Sequence, residues 1–359
     1  MSGVLTLNAG SSSVKFSVWE GTARVLEGQV DALGPDARLR VRGEPAAPLG
    51  ITDQRRAVSE ILDLVATRLP ALPISGVGHR IAHGGVDFTG PVDLTPQVIE
   101  KLTLLVPFAP LHQPHNLACV EAARLAFPNA RQIGCFDTAF HRGHPWVNDT
   151  FALPRRFYDL GVRRFGFHGL SYDYVTGALS QEYPELAAGR VVIAHLGNGA
   201  SLCAVLGGKS VASTMGFSAL DGLPMGTRCG QLDPGVLLYF MDQLGMGPEE
   251  ITRILYTESG LLGLSGISHD MRTLEASDAP EAREAIAYFC TRIRREIGAM
   301  AAMLDGVDAL VFCGGIGENS EVIRSQILDG LGFLGFPDRT PCLVIPTDEE
   351  SVIARAFTA

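Results

Sequence analysis

Hydrophobic positions along the chain follow two rhythms. Near the start, an apolar run from Val4 to Leu7 stops at Asn8, and alternation resumes through Val14, Phe16 and Val18. Ala9, Gly10, Ser11, Ser12 and Ser13 lie between. Two strand-like runs around a short Gly/Ser segment predict a hairpin with a small, polar tip. The stretch "VVIAHLGNGASLCAV" at 191–205 echoes it, which predicts a duplicated fold with one such loop per half. The stretch after the first hairpin, to about residue 52, reads as loops. Helical spacing then takes over. Val58, Ile61, Leu62, Val65 and Leu69 share one face, and Ile286, Phe289, Cys290, Ile293, Ile297, Met300 and Leu304 form a stripe over 281–304. "QIGCFDTAFH" reads as a strand before Asp137, and "LVFCGGIGENS" as a buried strand, a glycine turn and a helix start capped by Asn319 or Ser320. After the strand "CLVIP", Thr347 as N-cap with Glu350 three residues on predicts a capping box. Strands mixed with amphipathic helices make an α/β protein.

Composition narrows the function. The 359 residues exceed one core and suit two domains, and 46% hydrophobic with 19% charged residues is a globular balance. A net charge of −10 argues against non-specific binding to nucleic acid or an anionic membrane. The strand pattern begins at once, so no leader is expected, and no apolar run approaches membrane-spanning length. Seven scattered cysteines without a CxxC read as reduced thiols in the cytoplasm.

An acidic chain that binds an anion must do so with local groups. Gly/Ser tips offer backbone N–H groups and hydroxyls, the donors a phosphate needs. Asn8–Ser13 reads as one jaw of a phosphate clamp, with Ser11, Ser13 and Lys15 as contributors. His195–Ser201 reads as the other jaw, and Gly314–Asn319 as the nucleoside side. The plain alternatives are a solvent-facing Lys15 and an ordinary strand-to-helix turn at Gly314. "GGKS" at 207–210 has the end of a P-loop, but Cys203 stands where its first glycine should be. The pairs His79/His83, His112/His115 and His141/His144 have metal-like spacing, without HExxH or a neighbouring cysteine.

The ordered blocks "LNAGSSSVKF", "VGHRIAHGG", "APLHQPHN", "CFDTAFH", "RRFGFHGLS", "HLGNGAS", "GLPMGTRCGQLDPG", "SGLLGLSGIS", "GGIGEN" and "VIPTDEE" resemble the acetate kinase family over nearly the whole chain. The resemblance implies a duplicated ribonuclease-H-like fold, as in actin, Hsp70 and sugar kinases, with two domains and a cleft between them. The expected domains are 1–146, with helix 347–359 returning to it, and 147–346, which carries nucleotide binding and dimerisation. The implied reaction is reversible phosphoryl transfer from ATP to acetate, and also propionate, with Mg²⁺ or Mn²⁺, in a cytoplasmic homodimer. Propionate or butyrate as the main substrate is the alternative.

A carboxylate nucleophile is already ionised at pH 7 and needs no general base. The task is to position two anions and neutralise their charge, which arginines and a metal suit. By resemblance, Arg80 and Arg228 meet the carboxylate and the phosphoryl oxygens, His168 bonds the equatorial oxygens, and His112 supports the site. Asp137 and Glu349 are the implied metal carboxylates, with Asn8 at the metal and the phosphoryl group. His195, Gly197, Asn198 and Gly199 face the ATP phosphates, and Asp270, Met271, Arg272, Gly315, Ile316, Gly317 and Asn319 surround the nucleoside. Ala82, Leu111, Phe167 and Ala219 line the acyl pocket. Ala82 replaces the usual valine and Ala219 the usual proline. Leu170, Tyr172 and Gln113 also depart from the usual Thr, His and Asn, and the connection at 333–343 is shorter than typical.

Overall fold

The computed structural model describes residues 2–10 and 13–358, so Ser11 lies outside the described residues. The chain forms two compact units, one running to Arg142 and resuming at Asp348, the other Gly143–Thr347. The strands of the first unit are β1 Gly3–Ala9, β2 Val14–Glu20, β3 Ala23–Asp31, β4 Gly34–Val41, β5 Ala47–Thr52, β6 Ile74–Ile81, β7 Val92–Asp93 and β8 Arg131–Phe136. They form one sheet in the order β5-β4-β3-β2-β1-β6-β8-β7. The second unit has β9 Arg190–Leu196, β10 Ala200–Leu206, β11 Lys209–Ser213, β12 Ala309–Cys313 and β13 Cys342–Val344, in the order β11-β10-β9-β12-β13.

The two sheets repeat one plan. In the first, β3, β2 and β1 run antiparallel, and β6 and β8 then add in parallel. In the second, β11, β10 and β9 run antiparallel, and β12 and β13 add in parallel. The echo between the two hairpins is therefore a duplication of the whole sheet core. Each half places the ends of three neighbouring parallel strands at one sheet edge, where ligands of α/β proteins gather.

The stretch before residue 52 is not loop but the meander β3–β5. Its strands are half-exposed on both faces, so they lack the apolar alternation that marks a buried strand. Ladder hydrogen bonds hold them, with Val30 and Ala37 buried in the first core and ion pairs such as Arg40–Asp31 at 2.6 Å and Arg42–Glu27 at 2.7 Å on the surface.

Both helical stripes fold as helices. Gln54–Arg68 is capped by Asp53, which accepts from Arg56 N at 2.8 Å, and buries Ala57, Val58, Ile61, Leu62 and Val65 on the first sheet. Pro280–Met303 buries Phe289, Ile293 and Ile297 completely in the second core, each worth about 1.5–3 kcal/mol.

The C-terminal helix Glu349–Arg355 belongs to the first unit. Its N-cap is Asp348 and not Thr347: Asp348 Oδ1 accepts from Ser351 N at 3.2 Å. Glu350 is taken up by Asn8, which leaves no capping box. The helix seats on β6, where glycines alone leave room. A Cβ on Gly78 would collide with Ile353, and one on Gly76 with Phe357. Gly78→Val should therefore unseat the helix and destabilise the first unit by about 1–3 kcal/mol. The check is a lower urea midpoint for the first unfolding transition; an unchanged midpoint would show that the helix is not held by this fit.

Candidate active site

In the first unit, three neighbouring parallel strands deliver one polar cluster. Asn8 stands near the end of β1, Arg80 near the end of β6, and Asp137 directly after β8. Arg80 Nε donates to Asp137 Oδ1 at 3.0 Å and Nη2 to Oδ2 at 2.6 Å, a bidentate fork. Its Nη1 donates to Asn8 Oδ1 at 3.1 Å. The Asn8 amide then donates to Glu349 Oε2 at 2.7 Å and Glu350 Oε1 at 3.0 Å. Asn8 and Asp137 are almost fully buried.

The electrostatics follow from this crowding. Burial opposes the charge on Arg80, but Asp137, Glu349 and Glu350 outweigh it and hold its pKa above the usual arginine value. Burial pushes the Asp137 carboxyl up against the pull of Arg80. Burial, together with the charge of Glu349, also raises Glu350 against Lys15 and Asn8. Lys15 itself is exposed and sits opposite Asn8 in the β1–β2 ladder. Ser13 accepts from Gly10 N through its backbone carbonyl at 2.8 Å.

Among the described residues, no group of three His, Cys, Asp or Glu side chains could hold a metal ion. The donors that do gather are oxygens of Asn8, Asp137, Glu349 and Glu350. In that set, crowded with negative charge, the oxygens of Asp137 and Asn8 accept from Arg80, and those of Glu349 and Glu350 accept from the Asn8 amide.

The loop after Arg80 is tied to the start of helix Gln113–Ala126. Asn116 Oδ1 accepts from Ala82 N at 2.9 Å, and its amide donates to Ala9 O at 3.0 Å. Gln113 Oε1 accepts from His83 N at 3.1 Å, while its amide donates to His83 O at 3.0 Å and Leu102 O at 3.2 Å. Gln113 thus pairs both backbone groups of His83. Ala82 is buried, Leu111 is exposed, and His112 sits half-buried at the N-cap position of that helix.

The second unit builds its cluster around the β9–β10 turn, Gly197–Gly199. A Cβ on Gly199 would lie 2.8 Å from Arg228 Nη2 and 3.1 Å from His168 Nε2. Glycine lets both side chains reach the turn without a Cβ in the way. Arg228 Nη1 donates to Ala219 O at 2.7 Å. His168 takes a left-handed backbone (φ 58°) at the start of helix Gly169–Glu182. Such a conformation costs a non-glycine residue on the order of 1 kcal/mol and is common at working sites. Its ring stacks on His195 at 4.3 Å between centroids. His168 Nδ1 bonds Ser201 Oγ at 2.8 Å, which meets Tyr172 Oη at 2.5 Å, and His195 Nδ1 bonds Ser171 Oγ at 2.8 Å.

Neighbouring segments close around this turn. Gly226 N donates to Asn198 O at 3.0 Å, and a Cβ there would meet His269 Cβ at 3.4 Å. Asp270 follows and caps helix Met271–Glu275, accepting from Arg272 N at 3.0 Å. Met271 is buried, whereas the Arg272 side chain is 89% exposed and pairs with Asp270 at 2.6 Å. On the other flank, Gly314 (φ 77°) comes so close to β9 that a Cβ would sit 2.8 Å from Leu196 O. The glycine turn is itself helical over Gly314–Asn319, and Ser320 caps the next helix, Glu321–Leu328. Gly315 is exposed, Ile316 packs on the core, Gly317 is buried, and Asn319 donates back to Gly315 O at 2.9 Å. Phe167 is part of the buried core and Ala219 packs against it.

The sequence reading did not assign Ser171, Asn116 or the bond from Asn8 to Glu350, and it took in Ser201 and Glu318 only as members of the loops His195–Ser201 and Gly314–Asn319. Their types carry no marker; only the odd tyrosine at 172 and the position of Glu318 inside "GGIGEN" pointed to them.

The profile of the acetokinase family matches residues 3–354. This chain belongs to the acetokinase family. An acetate kinase from Methylocella silvestris is 51% identical over 388 aligned residues, covering 98% of this chain and 96% of that protein. Among solved structures, a propionate kinase from Francisella tularensis superposes with TM-score 0.92 at 33% identity, covering 99% of this chain and 98% of that one. An acetate kinase from Porphyromonas gingivalis superposes with TM-score 0.88 at 36% identity, over 100% of this chain and 99% of that one. These neighbours and the repeated sheet plan give the duplicated ribonuclease-H-like, actin-type fold. No helix among the described residues is long and apolar enough to cross a membrane.

The histidine pairs have other partners. His144 Nε2 bonds Ser210 Oγ at 2.6 Å, and His79 Nε2 bonds Gln132 Oε1 at 2.8 Å. Burial pushes His79 down to about 4 and His83, with help from Arg142, down to about 3. Above pH 6.5 these rings are neutral in both folded and unfolded chains. From 6.5 down to about 4, only the unfolded chain takes up the proton at His79. Stability should therefore fall as pH drops through that window, by about 3 kcal/mol from His79 alone. His79→Gln should flatten the fall in urea midpoint between pH 7 and 4.5; a variant with the wild-type slope would mean that other groups drive it.

Proposed function

We propose that this acetokinase-family chain transfers the γ-phosphoryl group of ATP directly and reversibly to a short-chain carboxylate, giving acyl phosphate and ADP. The observation that carries this reading is the Asn8–Arg80–Asp137 cluster at the ends of β1, β6 and β8. Full-length matches to acetate kinases support it. Arg80 offers a permanent, planar charge for the substrate carboxylate or the phosphoryl oxygens, and Arg228 offers the second. His168, oriented by Ser201, donates to the equatorial oxygens, with His112 in support. The backbone at Gly197–Gly199 faces the ATP phosphates. Gly315, Ile316, Gly317 and Asn319, with Asp270, Met271 and Arg272, flank the nucleoside.

Asp137 and Glu349, with Asn8, would hold Mg²⁺, or Mn²⁺ in its place. The cation supplies charge neutralisation on the phosphate oxygens when bound. The family resemblance also supports a cytoplasmic homodimer.

Hydroxylamine trapping tests the reaction. Acetate with ATP and Mg²⁺ should yield hydroxamate, and Arg228→Ala should lower turnover by roughly 10³-fold or more, with Lys rescuing poorly. No hydroxamate from any short acid would overturn the reading, and a fully active, folded Arg228→Ala would remove that residue from it.

A propionate-using version of the same chemistry has a specific basis. Ala82 and Ala219 are smaller than the usual valine and proline, and the neighbour at TM-score 0.92 is a propionate kinase. Each further buried CH₂ is worth about 0.8 kcal/mol, a few-fold in kcat/KM. Propionate should be used at least as well as acetate, and Ala82→Val should shift preference back toward acetate by a few-fold. The measurement is kcat/KM for both acids on both proteins; a strong wild-type acetate preference, unmoved by the substitution, would show that other side chains fill the space.

A further inference from the structure

The segment that leaves the second unit carries one backbone donor under unusual control. Ile345 N still donates to Phe312 O at 3.0 Å, a bond to the end of β12. Pro346 has no N–H. Thr347 N then donates to Glu318 Oε1 at 3.1 Å, and the same oxygen accepts from Gly314 N at 2.8 Å. Thr347 Oγ1 is buried without a hydrogen-bond partner among the described residues. The hydrogen bond from its N–H to Glu318 is thus a polar anchor of Thr347, the last residue of its unit.

The next three residues are fixed elsewhere. Asp348 pairs with Arg24 and caps the C-terminal helix. Glu349 and Glu350 accept from Asn8. Only Asp348 therefore stands between the residue anchored on the glycine turn and the first carboxylate bonded to Asn8.

We propose that Glu318 is a positioning residue that couples the glycine turn Gly314–Asn319 to the placement of Glu349. One carboxylate oxygen holds both the first N–H of that turn and the N–H of Thr347. A shift of the turn on nucleotide binding is passed through this oxygen to Thr347, and through the chain to Asp348 and Glu349. This inference rests on the reading that ATP is bound at the turn and that Glu349 serves the phosphoryl side. Glu318 acts through others and touches no reacting atom. Displacements of about 1 Å in such a supporting group cost up to 10²-fold in rate.

Three variants separate this role from a merely local one. Glu318→Ala removes both bonds. Glu318→Gln keeps an oxygen able to accept both N–H groups. Thr347→Pro deletes the second donor together with the Thr347 hydroxyl and leaves the Glu318–Gly314 bond in place. Steady-state kcat is measured at saturating ATP and acetate, and the Kd of ADP by equilibrium dialysis. Glu318→Ala and Thr347→Pro should lower kcat at least 10-fold while changing the Kd less than 3-fold, and Glu318→Gln should stay within 3-fold of wild type in both.

A loss of kcat matched by an equal rise in Kd would overturn the proposal, since Glu318 would then only shape the nucleotide turn. So would Glu318→Gln as damaging as Ala, or full activity in Thr347→Pro. If Glu318→Ala does not fold, the other two variants decide. Wild-type protein that makes no acyl phosphate overturns the reaction itself, an outcome separate from any behaviour of the variants.

Discussion

The buried pairing of Arg80 with Asp137 is the constraint around which the first unit is organised. Removing one partner of such a pair typically costs about 3–5 kcal/mol, because the other charge is left stranded. The pair persists because every strand end nearby contributes. β6 supplies the guanidinium, β8 ends at the carboxylate, and β1 supplies Asn8, whose Oδ1 accepts from Nη1. Asn8 in turn fixes Glu349 and Glu350, so the C-terminal helix is tied by polar bonds as well as by its fit over Gly76 and Gly78. A hydrophobic pair would pack as well, but it would not leave a planar cation at a strand end.

The second unit uses the same sheet plan for a different task. Its strand ends carry glycine turns and a stacked histidine pair where the first unit carries carboxylates. The difference follows from what a turn can offer. Gly199 and Gly314 remove the Cβ atoms that would keep Arg228 away from the turn and Leu196 away from Gly314. A close backbone is a source of N–H donors without net charge. The two frames share one strand plan, and what differs is the side chains at their strand ends and turns.

Much of this was legible in the sequence where periodicity or small-residue clusters reported it. The helices at Gln54–Arg68 and Pro280–Met303 follow their apolar stripes, and the two hairpins follow their polar tips. The meander β3–β5 was illegible because half-exposed strands at a sheet edge carry no alternating apolar face. The N-cap moved from Thr347 to Asp348 because Glu350, the partner that a capping box needs, bonds Asn8 across 342 residues of sequence. Supporting residues such as Ser201 and Asn116 were invisible for the same reason. A serine or asparagine means little until the fold shows which donor it satisfies.

An acidic chain with net charge −10 handles anions here without a basic surface. Each unit holds one arginine, Arg80 at a strand end of the first and Arg228 beside a glycine turn of the second, with close backbone around it. At long range the protein repels phosphate, so steering cannot supply the affinity; short-range geometry must. That places the burden on rigidity. Each charged group in the first cluster is held by at least one other side chain, and His168 by Ser201 and Tyr172. Reactants that repel each other gain from such preorganisation, because little of the binding energy is then lost to ordering the groups that neutralise them.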